Sequence, residues 1–175
     1  NPNGQLGDGT TTNSTIPVRV SGGLSFRLVS GGLQHTCGVL TDRTVRCWGQ
    51  NTNGQLGNGT TTSSSTPVAV SAPTTAATVG VGDGHSCATD AAGAIWCWGL
   101  GTSGQLGNGT TVGSSTPVRV SESGLGISVV GGTTFSCATL VEGTQRCWGL
   151  GTLGRLGNGD NVNSSVPVSV SGPTT

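Results

Sequence analysis

Residues 4–9 read Gly-Gln-Leu-Gly-Asp-Gly, and the hexapeptide returns as Gly-Gln-Leu-Gly-Asn-Gly at 54–59 and 104–109, then as Gly-Arg-Leu-Gly-Asn-Gly at 154–159. The same step of 50 residues carries Pro17, Pro67, Pro117 and Pro167, the cysteines 37, 87 and 137, and Cys-Trp-Gly at 47–49, 97–99 and 147–149. The chain is therefore an array of one repeated unit. A period near 50, with several short apolar runs and no apolar spacing of three or four, predicts propeller blades and not helical repeats.

Within a unit the runs Pro17–Val20, Phe26–Val29, His35–Leu40 and Thr44–Trp48 are short and rich in β-branched residues, which reads as four strands. Asp-Gly or Asn-Gly at 8–9, 58–59, 108–109 and 158–159 and Gly-Gly at 31–32 and 131–132 mark tight turns, because glycine reaches positive φ without a Cβ clash. Proline has no N–H to give a ladder, so the Pro-Val-x-Val run is expected to be the outermost strand, headed by its proline.

Composition narrows the function classes. Of 175 residues 33 are Gly, only 8% are charged, the formal net charge is zero, and Met and Tyr are absent. Nucleic-acid binding needs a clustered positive field, and Arg19, Arg27, Arg43 and Arg46 are diluted by the later units, so no nucleic-acid partner is expected. No run is long and apolar enough to span a bilayer. No signal peptide is visible, which carries no weight because Asn1 already sits mid-repeat, matching Asn51.

Each of the six cysteines has a partner ten residues away across a turn near 41–43. In a hairpin centred on residue 42 the numbers of opposed residues sum to 84, so Cys37 faces Cys47, and by the same count Cys87 faces Cys97 and Cys137 faces Cys147. Opposed strand residues lie within disulfide reach. Three such bridges would each stabilise by roughly 2–3 kcal/mol and place the protein outside a reducing cytosol. A metal site is the competing reading, since His35 with Cys37 and Cys47 supplies suitable ligands. It fails on Phe135, which stands where the third unit should have histidine, and on the lack of any Cys-x-x-Cys. No metal and no cofactor are expected.

Gly-Gly-Leu-Gln-His-Thr-Cys at 31–37, Val-Arg-Cys-Trp-Gly-Gln-Asn-Thr-Asn-Gly-Gln-Leu-Gly-Asn-Gly at 45–59 and Thr-Pro-Val-Ala-Val at 66–70 resemble the regulator-of-chromosome-condensation repeat family over nearly the whole chain. The resemblance implies β-propellers, usually seven-bladed, of four-stranded blades. Family activities include nucleotide exchange on a small nuclear GTPase, ultraviolet sensing and inhibition of β-lactamase by a secreted member. A nuclear role fits poorly with paired cysteines in every hairpin, and the loops at 31–35 and 82–85 lack the tryptophans of light sensors. Secreted, partner-binding members are the nearer analogues, so an extracellular or cell-surface setting is expected, with enzyme inhibition as a remote alternative. The resemblance also places the loops at 33–34, 83–84 and 133–134 near a channel mouth. Gln34, His35, Asp83, His85, Thr134 and Phe135 are then candidate rim residues for a protein or glycan ligand.

Counted this way, three complete antiparallel blades occupy 26–75, 76–125 and 126–175, and residues 1–25 form an orphan outer strand with its preceding loop. Three blades cannot close a ring. They are expected to be part of a six- to seven-bladed ring in a longer chain, or to assemble with further copies into a ring or fibre. Trp48, Trp98 and Trp148, with Leu6, Leu56, Leu106 and Leu156, are expected to pack between blades, whereas Trp96 reads either as extra packing or as an exposed anchor. The seven acidic residues are scattered over different phases of the repeat, so no catalytic pair is expected, and Asp83 beside His85 reads as a local turn with a packed histidine. Asn13, Asn58, Asn108 and Asn163 sit in glycosylation sequons, which turn chemistry also explains.

Overall fold

The computed structural model describes residues 1–171, so the last four residues assigned to the third blade lie outside the described residues. It is all-β, with one short 3-10 turn at Thr152–Gly154. The first sheet holds β1 (Phe26–Gly31), β2 (His35–Leu40), β3 (Val45–Gly49) and β4 (Ser64–Ala69). The second holds β5 (Ala76–Val81), β6 (His85–Asp90), β7 (Ile95–Gly99) and β8 (Ser114–Arg119). The third holds β9 (Gly126–Gly131), β10 (Phe135–Leu140), β11 (Gln145–Gly149) and β12 (Ser164–Ser169). Each is a four-stranded antiparallel sheet in simple sequence order, that is, one propeller blade.

The β2–β3 hairpin shows how sequence sets register. Leu40 and Thr44 close the turn through Leu40 N–H to Thr44 O at 2.8 Å, and Arg43 sits at φ 71°, where the other blades use Gly93 and Gly143. With that turn fixed, Cys37 opposes Cys47, and the side chains on either side of them alternate between the two faces of the sheet. All three bridges follow, with Cα–Cα distances of 4.0, 4.0 and 4.1 Å.

Two expectations change. Pro67 does not head its strand; it is the fourth residue of β4, at the stretch where the ladder to β3 slips between Cys47 and Gly49. A residue without an N–H is harmless where the ladder is already interrupted on an outer edge. The run Pro17–Val20, read as an orphan strand, forms no ladder among the described residues; beside it Ser21 N–H bonds Gly7 O at 2.8 Å, and the loop before it is tied to β4 by Gly9 N–H to Ser65 O at 3.0 Å.

The core lies between the sheets. Cys37, Val39, Val45 and Cys47 on blade 1 meet Ala76, Val79, Val81, Ala88 and Trp98 on blade 2. Cys87, Ile95 and Cys97 on blade 2 meet Val129, Ala138, Leu140 and Trp148 on blade 3. Flat sheets with one apolar stripe per face can bury it only by stacking on the next unit, which is why the repeat is the unit of folding.

Candidate interaction surface

What joins one blade to the next is a small polar device at each seam. The Gly54–Gly57 loop folds onto the following blade, and the main-chain oxygen of Gln55 accepts two bonds there, from the Trp98 indole N–H at 2.9 Å and the Ser86 hydroxyl at 3.0 Å. Ser86 has only one proton and gives it to Gln55, so its oxygen accepts from His35 Nε2–H at 2.8 Å, which fixes the histidine tautomer. The second seam repeats this with Gln105, Trp148, Ser136 and His85 at 2.9, 2.9 and 2.8 Å. In front of blade 1, Gln5 O takes Trp48 and Thr36, both at 2.9 Å. The motif's second glycine is required by this fit: Gly57 has φ 68°, and a Cβ there would stand 2.7 Å from Trp98 Nε1.

The device needs a loop of fixed shape. Asn51 supplies it, taking Leu56 N–H at 2.8 Å on Oδ1 and giving Nδ2 to the oxygens of Thr60 and Thr62, both at 3.0 Å. Trp48, Trp98, Trp148, Leu56, Leu106 and Leu156 are all buried, whereas Leu6 is half-buried. Trp96 packs against the first core cluster and donates to Asp90 Oδ2 at 3.0 Å, so it is inter-blade packing and no exposed anchor.

His35 and His85, grouped with rim residues from the sequence, are correspondingly moved off the rim: both are fully buried, with Nδ1 left without a partner. Burial pushes His35 from 6.5 down to about 3, helped by the field of His85, and burial pushes His85 from 6.5 to about 4. Asp83 makes no hydrogen bond to His85, whose Nε2 is committed to Ser136. The residues that do reach the surface at these turns are Leu33, 67% exposed, Thr133, and the half-buried Gln34, Asp83, Thr134 and Phe135. One backbone frame carries them all: Gly32, Gly82 and Gly132 each give an N–H to the oxygen three residues on, at 2.9, 2.9 and 2.8 Å.

Serines 86 and 136 and the Gln55 and Gln105 carbonyls escaped the sequence reading. Their signal was present, since the residue before the first cysteine of each pair is always a hydroxyl, Thr36, Ser86 or Ser136. The sequon asparagines serve turns: Asn58 and Asn108 accept the hydroxyls of Thr60 and Thr110 at 2.9 and 3.0 Å, Asn163 accepts Gly151 N–H at 2.9 Å, and Asn13 accepts the N-terminal amine. Among the described residues no three His, Cys, Asp or Glu side chains gather as metal ligands, and no helix is long and apolar enough to cross a membrane.

Blades of four antiparallel strands, stacked through a loop that each unit lays on its successor, define a repeat protein of the β-propeller class. The chain belongs to the regulator of chromosome condensation (RCC1) repeat family: one model of that repeat matches residues 1–39, 44–89, 92–139 and 147–175, and a second matches 26–55 and 76–105. No curated protein sequence matches it. Among solved structures, that of Kap60 bound to yeast RCC1 (Prp20) superposes with TM-score 0.82 at 19% identity, over 99% of this chain and 44% of that one. Human WBSCR16 superposes with TM-score 0.83 at 22% identity, over 97% and 45%. Prp20p from Saccharomyces cerevisiae, described with its binding to Gsp1p and histones, gives TM-score 0.75 at 19% identity, over 86% and 39%. The chain thus spans less than half the length of these structures, and the likeness shows the fold. Its three disulfides belong to an oxidising environment.

Proposed function

We propose that the chain is a non-enzymatic binding scaffold, working outside the cell or at its surface, that holds a protein partner on its rim loops. The observation that carries this reading is the turn at 32–35, 82–85 and 132–135: identical backbone bonds hold Leu33-Gln34, Asp83-Gly84 and Thr133-Thr134 in three successive blades. A rigid frame that keeps its geometry while its outward residues differ is what recognition loops require. The yeast relative's complexes with Kap60, and its binding to Gsp1p and histones, support a protein as the ligand class. The disulfides support the extracellular setting. Panning a displayed peptide library on the chain tests the reading. Selected binders are expected to lose at least about tenfold in affinity on the Leu33→Ala/Thr133→Ala variant and to keep it on Thr111→Ala. Binders indifferent to the rim pair, or capture on a glycan array in place of peptides, would overturn it.

A second reading, joining of the open faces to further copies or to more of a longer chain, is favoured by Val29 and Val130, 51% and 58% exposed at positions whose counterparts face a neighbouring blade. Light scattering on the purified chain separates the two, since a compact monomer removes self-assembly.

A further inference from the structure

Blades 1 and 3 carry an arginine at the same phase of β3 and β11, and only one of the two is neutralised. Arg146 forms an ion pair with Glu122, its Nε 3.3 Å from Oε2, and gives Nη1–H to the Ser169 hydroxyl at 2.8 Å. Glu122 is itself seated, its Oε1 taking the N–H groups of Ser123 and Gly124 at 2.9 and 3.0 Å. One hundred residues earlier, Gly22 stands in place of Glu122 and Ala69 in place of Ser169. Arg46 therefore loses both partners. Its Nε is buried without a hydrogen bond, and no carboxylate oxygen lies within ion-pair distance of it among the described residues. Asp42, whose carboxyl is held below its ordinary value by Thr44 first and by Arg46 as a smaller cause, has its Oδ1 committed to Thr44 N–H and Oγ1 at 2.9 and 2.8 Å.

The space left by the missing glutamate is a concavity of about 370 Å³ lined by Ser21, Gly22, Leu24, Arg46, Thr66 and Pro67. Leu24 and Pro67 offer apolar walls for a hydrocarbon stem, Ser21 and Thr66 offer hydroxyls, and Arg46 offers a fork that carboxylates match. We propose that this pocket is a carboxylate-binding site, and that its occupant is a glutamate or aspartate side chain of a protein partner, taking the place that Glu122 fills in blade 3. The apolar walls favour a carboxylate carried on a side chain over a free small anion, and the internal precedent for the arginine's partner is a glutamate, Glu122. The site rests on the chain's being a protein-binding scaffold, but it lies at the outer strand and away from the rim loops, so either can fail alone.

The test follows arginine Nε–H resonances of the intact chain during titration with acetyl-Gly-Glu-Gly-amide, its Gln analogue and acetate. A saturable shift of Arg46 Nε–H with the Glu peptide is expected, at least about tenfold weaker with the Gln analogue and with acetate. Arg46→Gln should abolish it. Glu122→Ala should open a second, weaker response at Arg146, which keeps Ser169 and lacks the leucine wall. The proposal is overturned if Arg46 stays silent while Arg146 responds in Glu122→Ala, or if neither responds. Equal affinity for acetate would overturn the choice of a protein-borne carboxylate.

Discussion

The seam between blades 2 and 3 and the far face of blade 3 use the same positions to opposite ends. At the seam Cys87 is 0% exposed, Ile95 is 3% exposed, and His85 bonds the next blade. On the far face Cys137 is half-buried, an exposed Gln145 stands for the isoleucine, and Phe135 stands for the histidine. Gly80 is the sharpest contrast. A Cβ on it would lie 2.4 Å from Val129 O of blade 3, so the seam closes only because none is there. Its counterparts are Ser30 in blade 1 and Val130 in blade 3, so the three faces differ in bulk at this one position. Blade identity is therefore written in a few side chains per face.

That contrast can be broken most severely at the indole. Trp98→Ala removes a fully buried ring and strips Gln55 O of one of its two donors, so a loss of about 3–5 kcal/mol is expected in denaturant unfolding. An unchanged midpoint would mean that the seam does not hold the blades. Acid comes next. His35 and His85 stay neutral when folded but charge near 6.5 when unfolded, so the unfolded chain binds more protons and stability falls as pH drops below that value. From pH 6.5 to 5 the loss should be about 1.6 kcal/mol per histidine. His85→Phe, which writes the blade 3 residue into blade 2, should remove half of that slope. An unchanged slope would show that the acid response comes from elsewhere. Asp8 and Asp42, both held below 3.8 by their hydrogen bonds to following threonines, contribute only at lower pH. The smallest effect is one of rate. With a mild reductant, mass spectrometry should find Cys137–Cys147 alkylated before the two bridges covered by a following blade. Simultaneous release of all three would show that they are equally covered.

Much of this architecture was legible because it depends on local spacing. The hairpin turn at 41–43 sets which cysteines oppose, and the period of 50 sets which residues recur. The seam was harder to read, because its acceptor is a main-chain oxygen that any residue possesses and its donors lie 31 and 43 residues away. For the same reason the histidines read as rim residues: nothing beside His35 in sequence reveals that Ser86 of the next blade will cap it. Pro67 was misplaced within its strand because the slip in the ladder that accommodates it arises from pairing with β3, beyond the reach of the Pro-Val-x-Val pattern itself. The Arg46 pocket became visible only when two blades could be laid side by side.

The twice-used glutamine carbonyl has a consequence for how such proteins change length. Each unit carries both the socket for the unit after it and the plug for the unit before, so a gene that gains or loses one whole segment by recombination keeps this polar joint even where the apolar faces on either side differ. Growth by copying then keeps the polar joint intact, and novelty is left to the few positions, such as 22, 130 and 135, where the copies differ.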